Sequence, residues 1–256
     1  MNKMKPLILI TNDDSVSAKG IYALIDSMKN LGELVVVAPD SPSSGQSKAI
    51  TVNSPIRISK TLEENGLTIY KCTGTPTDCV KLALDQILTR KPNLIVSGIN
   101  HGSNSSISVL YSGTMGAALE GCVERIPSIG FSLCSFNPRA DFSGAMKYAN
   151  IIARNVLKNG LPEGICLNVN IPETEDIKGV KICRQSRGYW EEEFVRREDP
   201  TGRQYFWLTG QFRNDEPDAE DTDEWALNND YISIVPCHAD LTAKEYIKTL
   251  SEWNYE

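Results

Sequence analysis

Histidine is scarce in this chain: His101 and His238 are the only two in 256 residues. Seven cysteines are present, Cys72, Cys79, Cys122, Cys134, Cys166, Cys183 and Cys237, and no two form a C-x-x-C pair. With so few nitrogen ligands and no paired thiols, the usual zinc sites are excluded. An odd number of scattered cysteines also gives no disulfide framework. Most lie in apolar runs, where a free thiol behaves as a small hydrophobe, and a reducing compartment is expected. No run of eighteen apolar residues occurs, so no apolar membrane-spanning helix is expected. The stretch Leu7–Ile10 follows Lys3 and Lys5 but stops at Asn12-Asp13-Asp14, too short for a signal-peptide core. A cytoplasmic location is the expectation. Positive charge is also in deficit, with 26 Lys and Arg against 33 Asp and Glu and a net charge of −7. That argues against a basic nucleic-acid-coating face, so no stable nucleic-acid complex is expected. A small phosphorylated substrate remains compatible, provided a metal or backbone amides supply the positive field.

What remains is an ordinary globular composition, 41% hydrophobic and 23% charged. Strand-like runs stand at Leu7–Asn12, Leu34–Ala38, Thr68–Thr73, Leu94–Ser97, Ser128–Leu133 and Ile165–Ile171. Helical patterns fall near Ala18–Asn30, Thr77–Thr89, Thr114–Glu124 and Ala145–Leu157. Such alternation implies βαβ units and a mostly parallel sheet covered on both faces. From about Arg184 to Asn229 the character changes. Tyr189, Trp190, Phe194, Tyr205, Phe206, Trp207, Phe212 and Trp225 mix with charges, and Asp199-Pro200-Thr201-Gly202 is a turn signal between two strand-like stretches. This reads as a protruding β-hairpin, too thin to fold alone. The densely acidic stretch Asn214–Glu224 reads as a solvated loop. Tyr231–Val235 is then a strand and Leu241–Trp253 a closing helix. The expected organisation is one domain over 1–256: an α/β core at 1–183, the arm and acidic loop at 184–230, and a closing strand and helix at 231–256.

Four segments with chemical potential sit where strands should end. Asp13-Asp14 closes the first strand, and in open α/β sheets ligands bind outside the carboxyl ends of the strands. Adjacent carboxylates repel, each favouring protonation of the other, and a hard cation removes the conflict. A solvated turn with a helix cap is the plain alternative. The second segment, Ala38–Ser47, is rich in Ser and Gly, suited to close approach by a ligand or to a mobile surface loop alike. The third is Val96-Ser97-Gly98-Ile99-Asn100-His101-Gly102-Ser103-Asn104. The fourth, Tyr111-Ser112-Gly113-Thr114, precedes an apolar helix. There, free amides, the positive dipole end and two hydroxyls suit a phosphate, and ordinary capping can coexist with that use. The oxygen-rich set of Asp carboxylates, a Ser hydroxyl and an Asn carbonyl selects Mg²⁺, Mn²⁺ or Ca²⁺.

These motifs together resemble the SurE family of stationary-phase survival proteins, metal-dependent nucleoside-monophosphate phosphatases. The matching residues are Ile10-Thr11-Asn12-Asp13-Asp14-Ser15 with Gly20-Ile21, Ala38-Pro39-Asp40 with Ser44-Gly45-Gln46-Ser47, and Gly74-Thr75-Pro76-Thr77-Asp78-Cys79-Val80. They continue through Val96-Ser97-Gly98-Ile99-Asn100, Tyr111-Ser112-Gly113-Thr114, Asp221-Thr222-Asp223, Tyr231-Ile232-Ser233-Ile234, Pro236 and Asp240-Leu241-Thr242. The resemblance implies a three-layer Rossmann-like core with a mostly parallel sheet. It implies one divalent ion per subunit, Mg²⁺ or Mn²⁺, on Asp13, Asp14, Ser44 and Asn100, and a phosphate near Asn104 and Ser112-Gly113-Thr114. It implies hydrolysis of nucleoside 5′-monophosphates, and of some 3′-monophosphates, to nucleoside and phosphate. It further implies a homodimer or homotetramer built by exchange of C-terminal elements, the hairpin arm serving oligomerisation. The chain departs from the family pattern at Ser106, where Gly is usual, and at Met115, where Val is usual.

The expected mechanism uses metal-activated water, with Asp13 and Asp14 as catalytic residues and Asp14 favoured as proton acceptor. Two rivals carry different chemistry. A haloacid-dehalogenase-like phosphatase needs Asp-x-Asp after the first strand, whereas this chain has Asn12-Asp13-Asp14. A non-catalytic, flavodoxin-like nucleotide-binding module needs no ordered set of metal oxygens.

Overall fold

The computed structural model describes residues 5–256; Met1–Met4, part of the segment weighed above as a leader, lie outside the described residues. The chain alternates strands and helices: β1 (Leu7–Thr11), α1 (Lys19–Met28), β2 (Glu33–Pro39), β3 (Ile58–Glu64), β4 (Leu67–Cys72), α2 (Pro76–Leu82), β5 (Leu94–His101), α3 (Gly113–Val123), β6 (Ser128–Cys134), α4 (Ser143–Asn159) and β7 (Ile165–Pro172). Then follow β8 (Gly179–Ile182), β9 (Gly188–Glu191), β10 (Phe194–Glu198), β11 (Gln204–Leu208), β12 (Gln211–Asn214), α5 (Asp223–Asn228), β13 (Tyr231–His238) and α6 (Ile247–Ser251). Nine strands form one sheet in the order β3-β4-β2-β1-β5-β6-β7-β13-β8. Strands β4, β2, β1, β5, β6 and β7 are all parallel, while β3 and β13 pair antiparallel to β4 and β7. This is a doubly wound, Rossmann-like α/β sheet. Its order reverses between β1 and β5, the crevice where such sheets bind ligands.

Side chains alternate across the sheet. Ile8 and Ile10 of β1 join Ile21, Leu24 and Met28 of α1 and Ala149 and Ala153 of α4 on one face. Leu7 and Leu9 join Cys79 and Val80 of α2 and Ala117 of α3 on the other. Both faces of β1 are therefore covered, which is why it reads as an uninterrupted apolar run. Each such buried aliphatic side chain contributes about 1.5–3 kcal/mol relative to exposure. Close packing also explains Gly20: a Cβ there would lie 2.0 Å from the Ile99 carbonyl oxygen, so α1 approaches the end of β5 only without a side chain.

Several elements differ from the sequence reading. The helix expected over Thr77–Thr89 is α helical only to Leu82 and continues as a π turn over Ala83–Ile87. Strand β3 was not expected because its residues are mostly polar and exposed, as suits a sheet edge. The turn that makes it, Asn65-Gly66 with φ of 50° and 79°, is nonetheless a strong hairpin signal. The closing helix expected over Leu241–Trp253 is only a 3₁₀ turn at Lys244–Tyr246 and the short α6, both exposed. So short an exposed helix has little to stabilise it. The hairpin is present: β10 and β11 pair antiparallel around Pro200-Thr201, and β9 and β12 pair below them. Its Phe194, Phe206, Trp207 and Leu208 are exposed.

The acidic stretch is not simply a solvated loop. Asp223 is fully buried at the start of α5, and Glu216 pairs with Arg184 and Arg187. Ser106, the departure from the family's Gly, adopts φ of 49°. Its amide donates to Asp223 Oδ2 at 2.8 Å and its hydroxyl to the Ser186 carbonyl at 3.0 Å. The cost of a left-handed Ser is offset by those bonds. All seven cysteines are free.

Candidate active site

The end of β1 delivers Asp13 and Asp14 to the reversal point of the sheet. Asp13 is 3% exposed. The Thr114 hydroxyl donates to its Oδ1 at 2.5 Å, and its backbone carbonyl accepts from the Ser43 amide at 2.7 Å. The first residue of α3 must be glycine here, since a Cβ on Gly113 would lie 2.9 Å from Asp13 Cβ and 3.0 Å from Oδ2. Burial pushes the Asp13 carboxyl above its ordinary value; the Thr114 hydrogen bond opposes this and the charge of Asp14 adds to it. Asp14 is likewise raised by burial, against a bond from the His101 amide at 3.3 Å. Among the described residues no Lys, Arg or His forms an ion pair with either carboxylate.

Two adjacent acids, one buried and one half-buried, without a cationic partner among the described residues fit a hard cation. Among the described residues no group of three or more His, Cys, Asp and Glu is arranged to hold a metal. A cation beside Asp13 and Asp14 would therefore draw its other protein ligands from neutral oxygens. Asn100, at the end of β5, donates its Nδ2 to the Gly102 carbonyl at 2.8 Å, which turns its own carbonyl oxygen into the free end of the amide. Ser44 is exposed on the loop after β2, next to the Ser43 that bonds Asp13. The same loop is pinned to the other side of the site by Ser47, whose amide and hydroxyl donate to the carbonyls of Tyr111 and Leu110.

The other expected phosphate residues divide into two kinds. Ser112 caps α3, its Oγ accepting from the Met115 amide at 3.0 Å, so its hydroxyl proton stays available. Thr114 spends its hydroxyl on Asp13. Asn104 is buried: its Nδ2 donates to Ser132 Oγ, its amide to Asn170 Oδ1, and its carbonyl accepts from Asn168 Nδ2, each at 2.8 Å. Ser132, Asn168 and Asn170 were missed by the sequence reading. The signal was there in Asn168-x-Asn170, two amides on one face of an otherwise apolar strand. Asp223 was missed too, hidden in an acidic run. Around the site Thr11 Oγ1, Asn12 Oδ1, Ser97 Oγ and His101 Nε2 are buried with no partner among the described residues, as expected where a water, an ion or a substrate group completes the bonding.

The sequence model of the family described as Survival protein SurE matches residues 8–192. A protein of Phocaeicola vulgatus named 5′-nucleotidase SurE is 53% identical over 256 residues, covering 100% of each chain. One of the same name from Christiangramia forsetii is 55% identical over 99% of each. The crystal structure of the SurE protein from Aquifex aeolicus superposes with a TM-score of 0.84 at 38% identity, covering 96% of this chain and 98% of that one.

Proposed function

The chain belongs to the survival protein SurE family, and from that membership we infer that it is a 5′-nucleotidase, a metal-dependent phosphatase that hydrolyses nucleoside 5′-monophosphates to nucleoside and phosphate. The observation that carries this reading is the adjacent pair of buried Asp13 and half-buried Asp14, which has no cationic partner among the described residues, with Asp13 against the N-terminus of α3. Asp13, Asp14, Ser44 and Asn100 would hold one divalent ion, Mg²⁺ or Mn²⁺. When bound, such an ion supplies charge neutralisation at the phosphoryl group and a water of lowered pKa. Asp14, less buried than Asp13 and free of the Thr114 bond, takes the proton from the attacking water. Ser112 donates its hydroxyl to a phosphate oxygen, and the Gly113 amide lies at the positive end of α3 for another. Thr114 holds Asp13 in its orientation, and Asn104 stiffens the loop opposite. The enzyme assembles as a homodimer or homotetramer through the exposed arm and works in the cytoplasm. No helix of the described residues is long and apolar enough to cross a membrane.

Phosphate release from a panel of nucleoside 5′- and 3′-monophosphates, with Mg²⁺, Mn²⁺ or chelator, tests the reading. Metal-dependent release from 5′-monophosphates is expected; release that persists unchanged in chelator refutes the metal mechanism.

A further inference from the structure

We propose that Glu120 of α3 is a positioning residue for the loop after β2: through Lys48 it holds residues 43–47 against α3 and so sets where Ser44 stands beside Asp13. The inference rests on the metal reading of the Asp13–Asp14 site and adds a residue that touches neither metal nor substrate.

Glu120 is 2% exposed. Taking a carboxylate out of water is costly unless it is paired. Here it is paired twice: Oε2 lies 3.1 Å from Lys48 Nζ, and Oε1 lies 2.7 Å from Lys81 Nζ. Lys81 stands on α2, so that arm is an ordinary clamp between two helices. Lys48 stands on no helix or strand; it ends the loop that carries Ser44. The second arm therefore ties a surface loop to the interior.

The spacing along α3 shows how far this tie reaches. Gly113, Gly116 and Glu120 are three and four residues apart, and so share one face of the helix. Asp13 packs at Gly113. The loop crosses at Gly116, where a Cβ would lie 2.6 Å from the Ser47 carbonyl oxygen and 3.0 Å from Lys48 Cα. Glu120 takes the Lys48 ammonium one turn further on. One helix face, about 10 Å long, thus carries the acid, the loop and the anchor of the loop. The Ser43 amide is fixed on the Asp13 carbonyl and the Ser47 amide on the Tyr111 carbonyl, while Ser44 and Gly45 between them are exposed. Their position is set by the two ends, and Lys48 follows directly on the second.

The test uses the full-length chain, freed of metal by chelator and dialysis, as wild type, Lys48→Met, Lys48→Arg, Lys81→Met and Glu120→Gln. Lys48→Met is decisive. Its side chain is 37% exposed, so the fold should tolerate the change, and removing a positive charge would by itself strengthen cation binding. Weaker Mn²⁺ binding in that variant then reports a displaced loop. The Mn²⁺ Kd from calorimetry is expected to weaken about tenfold, the lower end for groups that orient metal ligands, and Lys48→Arg should restore it. Lys81→Met cuts the helix clamp alone and should lower Tm with the Kd unchanged. Glu120→Gln should show both effects; if it does not fold, Lys48→Met still decides. Hydrogen exchange reads the loop without metal: in Lys48→Met the Ser47 amide should exchange faster while the α3 amides keep wild-type rates. A Kd in Lys48→Met or in folded Glu120→Gln that equals or betters wild type, or Ser47 exchange at the wild-type rate, overturns the positioning role. Wild type that binds no Mn²⁺ refutes the metal reading instead, and exchange alone then decides whether Glu120 holds the loop.

Discussion

Replacing Thr114 by Val deletes one hydroxyl while keeping the side-chain volume. The structure says what that hydroxyl does: it donates to Asp13 Oδ1 at 2.5 Å, with Thr114 fully buried and Asp13 nearly so. Hydrogen bonds to charged groups contribute about 1.5–3 kcal/mol, and the loss is larger when the orphaned group stays buried. No cavity opens, so no packing loss is added. For a chain of this length that corresponds to a fall in Tm of about 3–12 °C. If the bond orients Asp13 for the metal, the same loss weakens metal binding by about tenfold to a hundredfold and lowers kcat/KM to a similar degree. Thr114→Ser, which restores the hydroxyl, should recover most of both. Titration with Mn²⁺ and melting in the presence of chelator separate the two effects. If Thr114→Val raises KM for the nucleotide while Mn²⁺ Kd and Tm stay at wild-type values, the hydroxyl contacts phosphate and the orienting role is refuted.

Asp13→Asn keeps the shape but removes a charge; metal-dependent phosphate release should fall below detection while far-UV circular dichroism is unchanged, and wild-type turnover at saturating metal would sink the ligand assignment. The Glu216 carboxyl is held down at about 2 by Arg184, with the Arg187 amide and guanidinium adding, against an ordinary value of 4.5. A depressed acid stabilises above its unfolded value and stops doing so as pH falls through its folded one. The root of the arm should therefore loosen between about pH 4.5 and 2, seen as faster hydrogen exchange at the Arg187 amide, which donates to Glu216 at 2.8 Å. Exchange independent of pH in that window, after correction for intrinsic rates, contradicts it. Deleting Glu191–Phe206 and closing the gap with a short turn removes exposed Phe194, Tyr205 and Phe206, and sedimentation should show a smaller or weaker assembly. A full-length chain that is monomeric at micromolar concentration ends the arm-exchange idea.

The core and the adjacent acids at the end of β1 were legible in the residues themselves. Leu7–Ile10 is apolar on both faces because a central parallel strand is covered on both, so the run announces β1 without any tertiary information. Asp13 and Asp14 follow at once, and like charges side by side state their own need for a cation. The Ser112-Gly113-Thr114 start of α3 shows its free amides by its residue types alone. Local chemistry could not say what each hydroxyl touches. Thr114 bonds Asp13 across a hundred residues of chain, and Asn168 and Asn170 clamp Asn104 from β7, two strands away from β5. Nor could it say that Asp223, one acid in a crowded run, is buried and holds Ser106 in a left-handed turn. Helix and strand patterns, caps and adjacent charges act over a few residues and are written in sequence. Burial and hydrogen-bond partners arise only when β1, β5, β6 and β7 lie side by side, so the fold alone decided them.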